Sequence, residues 1–210
     1  MSLTDRLVQN NILQTPEIIT AFKKIKRCDF LPRGLSGQAE LDMPISIGFG
    51  QTISQPSTVA FMLELLQPQA GDVIMDVGSG SGWTLALLAQ IVASGKVYGI
   101  EIKQELASFA VNNVLKYNFI SKGTVKVFCQ DGWQGLPDLA PFDKIIVAAA
   151  ASEIPQALLK QLRIGGRLVL PVGDVGMIQD LLVIEKTAED QFSKKIYSGF
   201  IFVPLVKKNN

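Results

Sequence analysis

The chain has no histidine among its 210 residues. The side chain most often used as a general base near neutral pH is therefore absent, and any catalysis must proceed without it. Only two cysteines are present, Cys28 and Cys129. They lie far apart and form no Cys-x-x-Cys, which excludes a disulfide framework and zinc-ligand spacing, and no metal is expected. Cys129 ends the apolar run Val-Lys-Val-Phe-Cys and is expected to be a buried free thiol in a reduced, cytoplasmic setting. Neither sign of charge dominates, with 20 basic and 19 acidic residues. That balance excludes the basic excess of a dedicated nucleic-acid binder. Lys207 and Lys208 read as a solvated end. No apolar run approaches the ~20 residues needed to span a bilayer, so no membrane partner is expected. Asp5 and Arg6 interrupt the N-terminus where the apolar core of a leader would lie. There is no internal repeat and no low-complexity segment.

The apolar content of 48% is ordinary for a globular protein. The length suits one domain over residues 1–210, with an N-terminal segment (1–70), a core (71–175) and a C-terminal strand pair (176–210). The first segment reads as helices and loops. Thr15 can cap a helix with Pro16 at its first position, and Ile18, Ile19, Phe22 and Ile25 form its apolar face. Residues 34–55 lack helical periodicity, are dense in Gly, Ser and Pro, and read as an extended loop. A second helix opens near Pro56, with Val59, Met62, Leu63 and Leu66 as a buried stripe.

After Gly71 strand and helix alternate. Strands are expected at residues 73–77, 97–102, 125–129, 144–148 and 167–170, and helices at 85–92, 105–117 and 154–162. That alternation predicts parallel strands with helical crossovers. Runs at 180–186 and 195–206 have no helix between them and predict an antiparallel pair at the edge. The fold class expected is α/β: a doubly wound, Rossmann-like, mostly parallel sheet of seven strands.

Residues 76–82, Asp-Val-Gly-Ser-Gly-Ser-Gly, follow the first strand of this alternation and open a helix. Glycines there admit positive φ and let backbone approach a ligand, so Gly78, Ser79, Gly80, Ser81 and Gly82 read as a nucleotide-cofactor loop. The spacing is GxGxG, and Trp83 stands where a dinucleotide fingerprint needs a third small residue. A Gly-Lys-Ser/Thr phosphate loop is absent as well. Asp76, just before the glycines, would repel a pyrophosphate and suits a cationic ligand. S-adenosylmethionine (SAM) fits, with its sulfonium, its α-amino group and no phosphate. Glu101, at the end of the second strand, is placed to accept from ribose hydroxyls. Asp131, with Gly132 after the third strand, can accept from an adenine amino group or form a turn.

With those residues in view, the chain resembles the protein-L-isoaspartate O-methyltransferase family of class I SAM-dependent methyltransferases. The resemblance rests on FLP at 30–32, PISIGFGQTISQP at 44–56, DVGSGSGW at 76–83, Glu101, QDGWQGLP at 130–137, APFDKIIVAAAASEIP at 140–155, LLKQLRIGGRLVLPVG at 158–173 and FVPL at 202–205. The chain departs from the family pattern at Glu40-Leu41-Asp42, Ser57, Ala148 and Ser152.

The resemblance implies methyl transfer from SAM to the α-carboxylate of L-isoaspartyl residues in damaged proteins, leaving S-adenosyl-L-homocysteine. The methyl ester would then close to a succinimide, returning part of the isoaspartate to aspartate. It also implies a monomer acting on isoaspartyl peptides and proteins. Such a carboxylate, with a reference pKa near 3.5, is already ionised and needs no base, which accounts for the missing histidine. Ser54 is then implied as the catalytic serine beside the transferred methyl. Gln51, Thr52 and Ile102 are implied on the cofactor side, with Ile53, Gln55, Ala149, Ala150, Val203 and Leu205 on the substrate side. Ser54 could alternatively cap the helix at Pro56. A methyltransferase with another acceptor, or a non-catalytic SAM binder, also fits these residues. An NAD enzyme fits them least.

Overall fold

The computed structural model describes residues 1–207. The N-terminal segment supplies three helices: α1 (Leu3–Gln9), α2 (Pro16–Lys24) and α3 (Pro56–Leu66). Pro16 and Pro56 stand in the first turns, where a missing N–H is harmless. Thr15 holds the cap position of α2, but its hydroxyl donates to Glu64 Oε2 at 2.6 Å and caps nothing.

The segment 34–55 is more ordered than its composition suggests. It contains the hairpin β1 (Ile45–Gly48) and β2 (Gln51–Ile53), with Ser46 opposite Thr52. Gly48 and Gly50 take φ of 89° and 72° in the turn. The departure at residues 40–42 has a structural use. The Glu40 carboxylate accepts from Leu3 N at 2.6 Å, at the start of α1. The Asp42 carboxylate accepts from Ser57 N at 2.8 Å, at the start of α3. Two helix N-termini are thereby satisfied from one loop.

The remaining elements are β3 (Val73–Val77), α4 (Trp83–Val92), β4 (Lys96–Glu101), α5 (Gln104–Leu115), β5 (Val125–Cys129), β6 (Phe142–Val147), α6 (Gln156–Lys160), β7 (Leu162–Val172), β8 (Gln179–Ala188) and β9 (Gln191–Phe200). They form one seven-stranded sheet in the order β5-β4-β3-β6-β7-β8-β9. The first five of these strands pair in parallel, and β8 and β9 add antiparallel. The expected α/β sheet and its C-terminal antiparallel pair are both present.

Alternation along the strands divides the core. Ile74, Val97, Val125, Ile146 and Val169 face α2–α5. Met75, Val77, Ile100, Ile145 and Leu168 face α6 and the segment around Leu136. β5 is an edge strand, and Cys129 at its end is exposed rather than buried. An apolar neighbourhood in sequence does not cover the last residue of an edge. Lys207 is exposed, as a solvated end should be, but its ammonium also sits 4.1 Å from the centre of the Trp133 ring. Lys208 lies outside the described residues. Among those residues no helix is long and apolar enough to cross a membrane.

Candidate active site

From β3 the chain moves outward through β4 to β5, then returns to lay β6 on the other side of β3. Such a reversal opens a crevice at the carboxyl ends of the strands. A cleft lies there, at the place where open α/β sheets hold their ligands. Fourteen of the residues singled out in the sequence line it: Gln51, Thr52, Ile53, Ser54, Gly78, Ser79, Gly80, Ser81, Glu101, Ile102, Gly132, Ala149, Val203 and Leu205.

The glycine loop spends its amides internally. Gly78 N and Ser79 N both donate to Ile100 O, at 2.8 and 3.0 Å. Gly80 N donates to Glu101 Oε2 at 2.9 Å, and Gly82 N to Ser79 O at 2.8 Å. Phosphate-binding loops work by aiming such N–H groups at the ligand. With four of them committed elsewhere, this loop is no pyrophosphate cradle, and the dinucleotide alternative loses its footing.

Two buried acids favour a cationic ligand instead. Glu101 is 5% exposed and accepts at both oxygens, from Gly80 N and from Lys103 N at 3.0 Å. Each oxygen keeps a second lone pair toward the cleft. Asp76 is absent from the cleft's lining and fully buried, with neither carboxylate oxygen hydrogen-bonded among the described residues. Burial pushes its carboxyl up to about 8, and the charge of Glu101 adds to the rise. An orphaned buried carboxylate is costly, and a nearby positive charge relieves that cost. Acids of this kind beside a loop with four of its amides committed fit SAM: Glu101 to the ribose and Asp76 by its charge to the cationic end.

Other residues singled out in the sequence sit outside the lining. Asp131 is half-buried and caps the turn Gly132–Gln134, accepting from Trp133 N at 2.9 Å. Gly82 begins α4 at φ 89°, and a Cβ there would meet Ala110 Cβ and Val114 Cγ2 at 3.1 Å. Ala150 is buried, and its backbone pairs with the C-terminal segment, donating to Val203 O at 2.8 Å and accepting from Leu205 N at 2.7 Å.

Gln55 lines a second cleft of about 390 Å³ beside the first. The two share Thr52, Ser54, Ala148, Val203 and Pro204 as a common wall. Ser54 is half-buried on that wall. Its hydroxyl makes no hydrogen bond among the described residues, whereas its carbonyl accepts from Arg27 Nη2 at 3.1 Å. It does not cap α3: the cap position is Gln55, and Asp42 serves Ser57 N. A fixed backbone with an uncommitted hydroxyl is what a positioning donor requires.

Sequence reasoning did not find Arg27. Its guanidinium is buried and, besides Ser54 O, donates to Ala39 O at 3.3 Å, Leu41 O at 2.9 Å and Met43 O at 2.8 Å. Burial lowers its pKa to about 10, so it stays charged at neutral pH. It also lies 5.5 Å from the ring centre of Trp83, which lines the first cleft. Nothing in the local sequence shows these partners, which lie 12 to 27 positions away.

Trp133 was quoted only as part of a motif. Its Nε1 donates to Leu205 O at 3.0 Å and, with Lys207 over its ring, fastens the segment that walls the first cleft. Trp133→Phe removes one such bond, worth about 1 kcal/mol. The expected result is a KM for SAM raised about fivefold with kcat much less affected. Steady-state kinetics at saturating acceptor would show it, and an unchanged KM would deny the clasp a role.

The family model described as protein-L-isoaspartate(D-aspartate) O-methyltransferase (PCMT) matches residues 1–210. A protein-L-isoaspartate O-methyltransferase of Methanopyrus kandleri is 41% identical over 205 residues, covering 97% of this chain and 89% of that protein. One from Flavobacterium psychrophilum is 41% identical over 204 residues, covering 97% and 92%. A crystal structure from Plasmodium falciparum, described as a protein of this type in complex with S-adenosyl-L-homocysteine, superposes with a TM-score of 0.88 at 25% identity. That match covers 98% of this chain and 97% of the other.

Proposed function

The chain belongs to the protein-L-isoaspartate(D-aspartate) O-methyltransferase family, and from that premise we propose how its residues carry the reaction. Its activity is SAM-dependent protein-L-isoaspartate O-methylation. When bound, SAM supplies a methyl group activated by a sulfonium, whose leaving sulfur is neutral. No acid or base is required of the protein, because the acceptor carboxylate is ionised well below neutral pH.

What the chain supplies is position. Glu101, the glycine loop and Gly132 hold the cofactor in the first cleft, with Gln51, Thr52 and Ile102 beside them. Asp76 provides negative potential from its buried position, and Asp131 fixes the turn at the adenine end. The acceptor occupies the second cleft, against Gln55 and Val203, with Ile53, Ala149, Ala150 and Leu205 shaping the boundary. The Ser54 hydroxyl donates to one oxygen of the acceptor carboxylate and aims the other. A neutral donor suits this step. A cation there would stabilise the charged ground state more than a transition state in which charge is being neutralised.

The observation that carries this reading is the uncommitted Ser54 hydroxyl on the wall between two clefts. Its test is transfer from methyl-labelled SAM to an isoaspartyl peptide, with the matched aspartyl peptide as control. Base-labile label on the isoaspartyl peptide alone is the expected outcome. Label on both peptides, or on neither, would overturn the assignment. Monomeric action is part of the proposal. Cytoplasmic residence is supported by two exposed free thiols, which persist in a reducing compartment.

A further inference from the structure

Among the described residues that line the second cleft none is Lys, Arg, Asp or Glu. Its lining includes Pro44, Val175, Ile201 and Phe202. Two of these are large apolar residues left in water: Ile201 is 74% exposed and Val175 is 66% exposed. Met177 and Ile178 after Val175, and Met43 before Pro44, are exposed as well, with the exposed acids Asp174 and Asp42 beside them. Single exposed apolar residues need no explanation, but a group framing one opening does.

We propose that this apolar collar determines which damaged sites the enzyme takes, selecting isoaspartyl residues whose flanking side chains are apolar. The inference rests on the isoaspartyl reading above. To reach Ser54, an acceptor carboxylate enters the second cleft, so the chain that carries it crosses the collar. With no charged side chain among the described lining residues, no ion pair anchors the acceptor directly. One neutral hydroxyl orients a carboxylate but holds it weakly. The binding energy must then come from parts of the substrate away from the reacting centre, and the surface available to them is apolar. Apolar flanks belong to segments that a folded protein keeps inside. The collar therefore directs the enzyme toward damaged segments that have left a core, ahead of those in polar surface loops.

The test uses two isoaspartyl hexapeptides of equal length, one flanked by Leu and Val and one by Ser and Lys. The wild-type ratio of kcat/KM, apolar over polar, is expected to be about tenfold, the order of one or two side chains entering an apolar site. In a Val175→Ser, Ile201→Ser double variant that ratio is expected to fall toward one. Both positions are exposed, so the fold is not at stake, and a circular dichroism melt checks this. Equal kcat/KM for the two peptides in the wild type would overturn the collar while leaving isoaspartyl methylation intact. A preference that survives the double variant would do the same. Failure to methylate either peptide would overturn the underlying reading, and this inference with it.

Discussion

Replacing Ser54 by alanine is expected to lower kcat for an isoaspartyl peptide by roughly 10–100-fold, the loss of one hydrogen bond to a charged group, about 1.5–3 kcal/mol. The size follows from what else is at hand. No charged residue lines the second cleft among the described residues, so none of those side chains replaces the hydroxyl with a stronger contact. The backbone at residue 54 is tied to Arg27 through its carbonyl, and the alanine variant keeps that tie. The variant should therefore fold and bind cofactor, and the deficit should fall on kcat. Ser54→Thr, which retains a hydroxyl, should recover part of the loss. A reduction of less than about threefold would mean that alignment rests on the backbone of the shared wall and not on the hydroxyl.

The glycine loop and acids proposed to hold the cofactor were legible as a cluster because their pattern is local. A glycine loop after a strand, an acid before it and an acid at the next strand end follow from spacing alone, and the alternation of elements supplies the sheet that gathers them. The substrate side was less so. The hairpin at 45–53 has strands of only four and three residues, and its glycines read as loop. Yet it carries Thr52, leads directly into Ser54, and brings Ile47 against the glycine loop, where a Cβ on Gly80 would lie 3.3 Å from Ile47 Cδ1. Arg27 reads in sequence as one more surface charge, because its partners are carbonyls, and carbonyls leave no signature in side-chain pattern. Cys129 failed for a related reason: burial at a strand end depends on which strand is the edge, and order in the sheet is not order in the chain.

Asp76→Asn should move stability and binding in opposite directions. The carboxyl sits at about 8 in the folded protein against an ordinary value of 3.8. Below the lower value both folded and unfolded chains hold the proton, and the fold pays nothing. As pH rises from there, the unfolded chain ionises while the folded one stays protonated, so stability falls until the folded group also ionises, near pH 8. The slope is at most about 1.4 kcal/mol per pH unit for one group, or roughly 3–5 °C in Tm for a domain of this size. Asparagine has no proton to lose. The ligand-free variant should therefore melt higher than wild type at pH 8–9, with the gap closing toward pH 4. Binding runs the other way. A cationic ligand near Asp76 favours its ionised form, so wild-type affinity for SAM should rise with pH and level off near 8, with proton release on binding below that point. The variant should bind more weakly and lose both the rise and the release. Melting curves across pH, and calorimetric titrations in buffers of different ionisation enthalpy, measure the two effects separately. Parallel melting curves for the two proteins would remove the stability argument, and an unaltered pH dependence of affinity would remove Asp76 from the cofactor site. If both effects appear, a carboxylate that weakens the empty fold persists because its charge is of use only to the ligand.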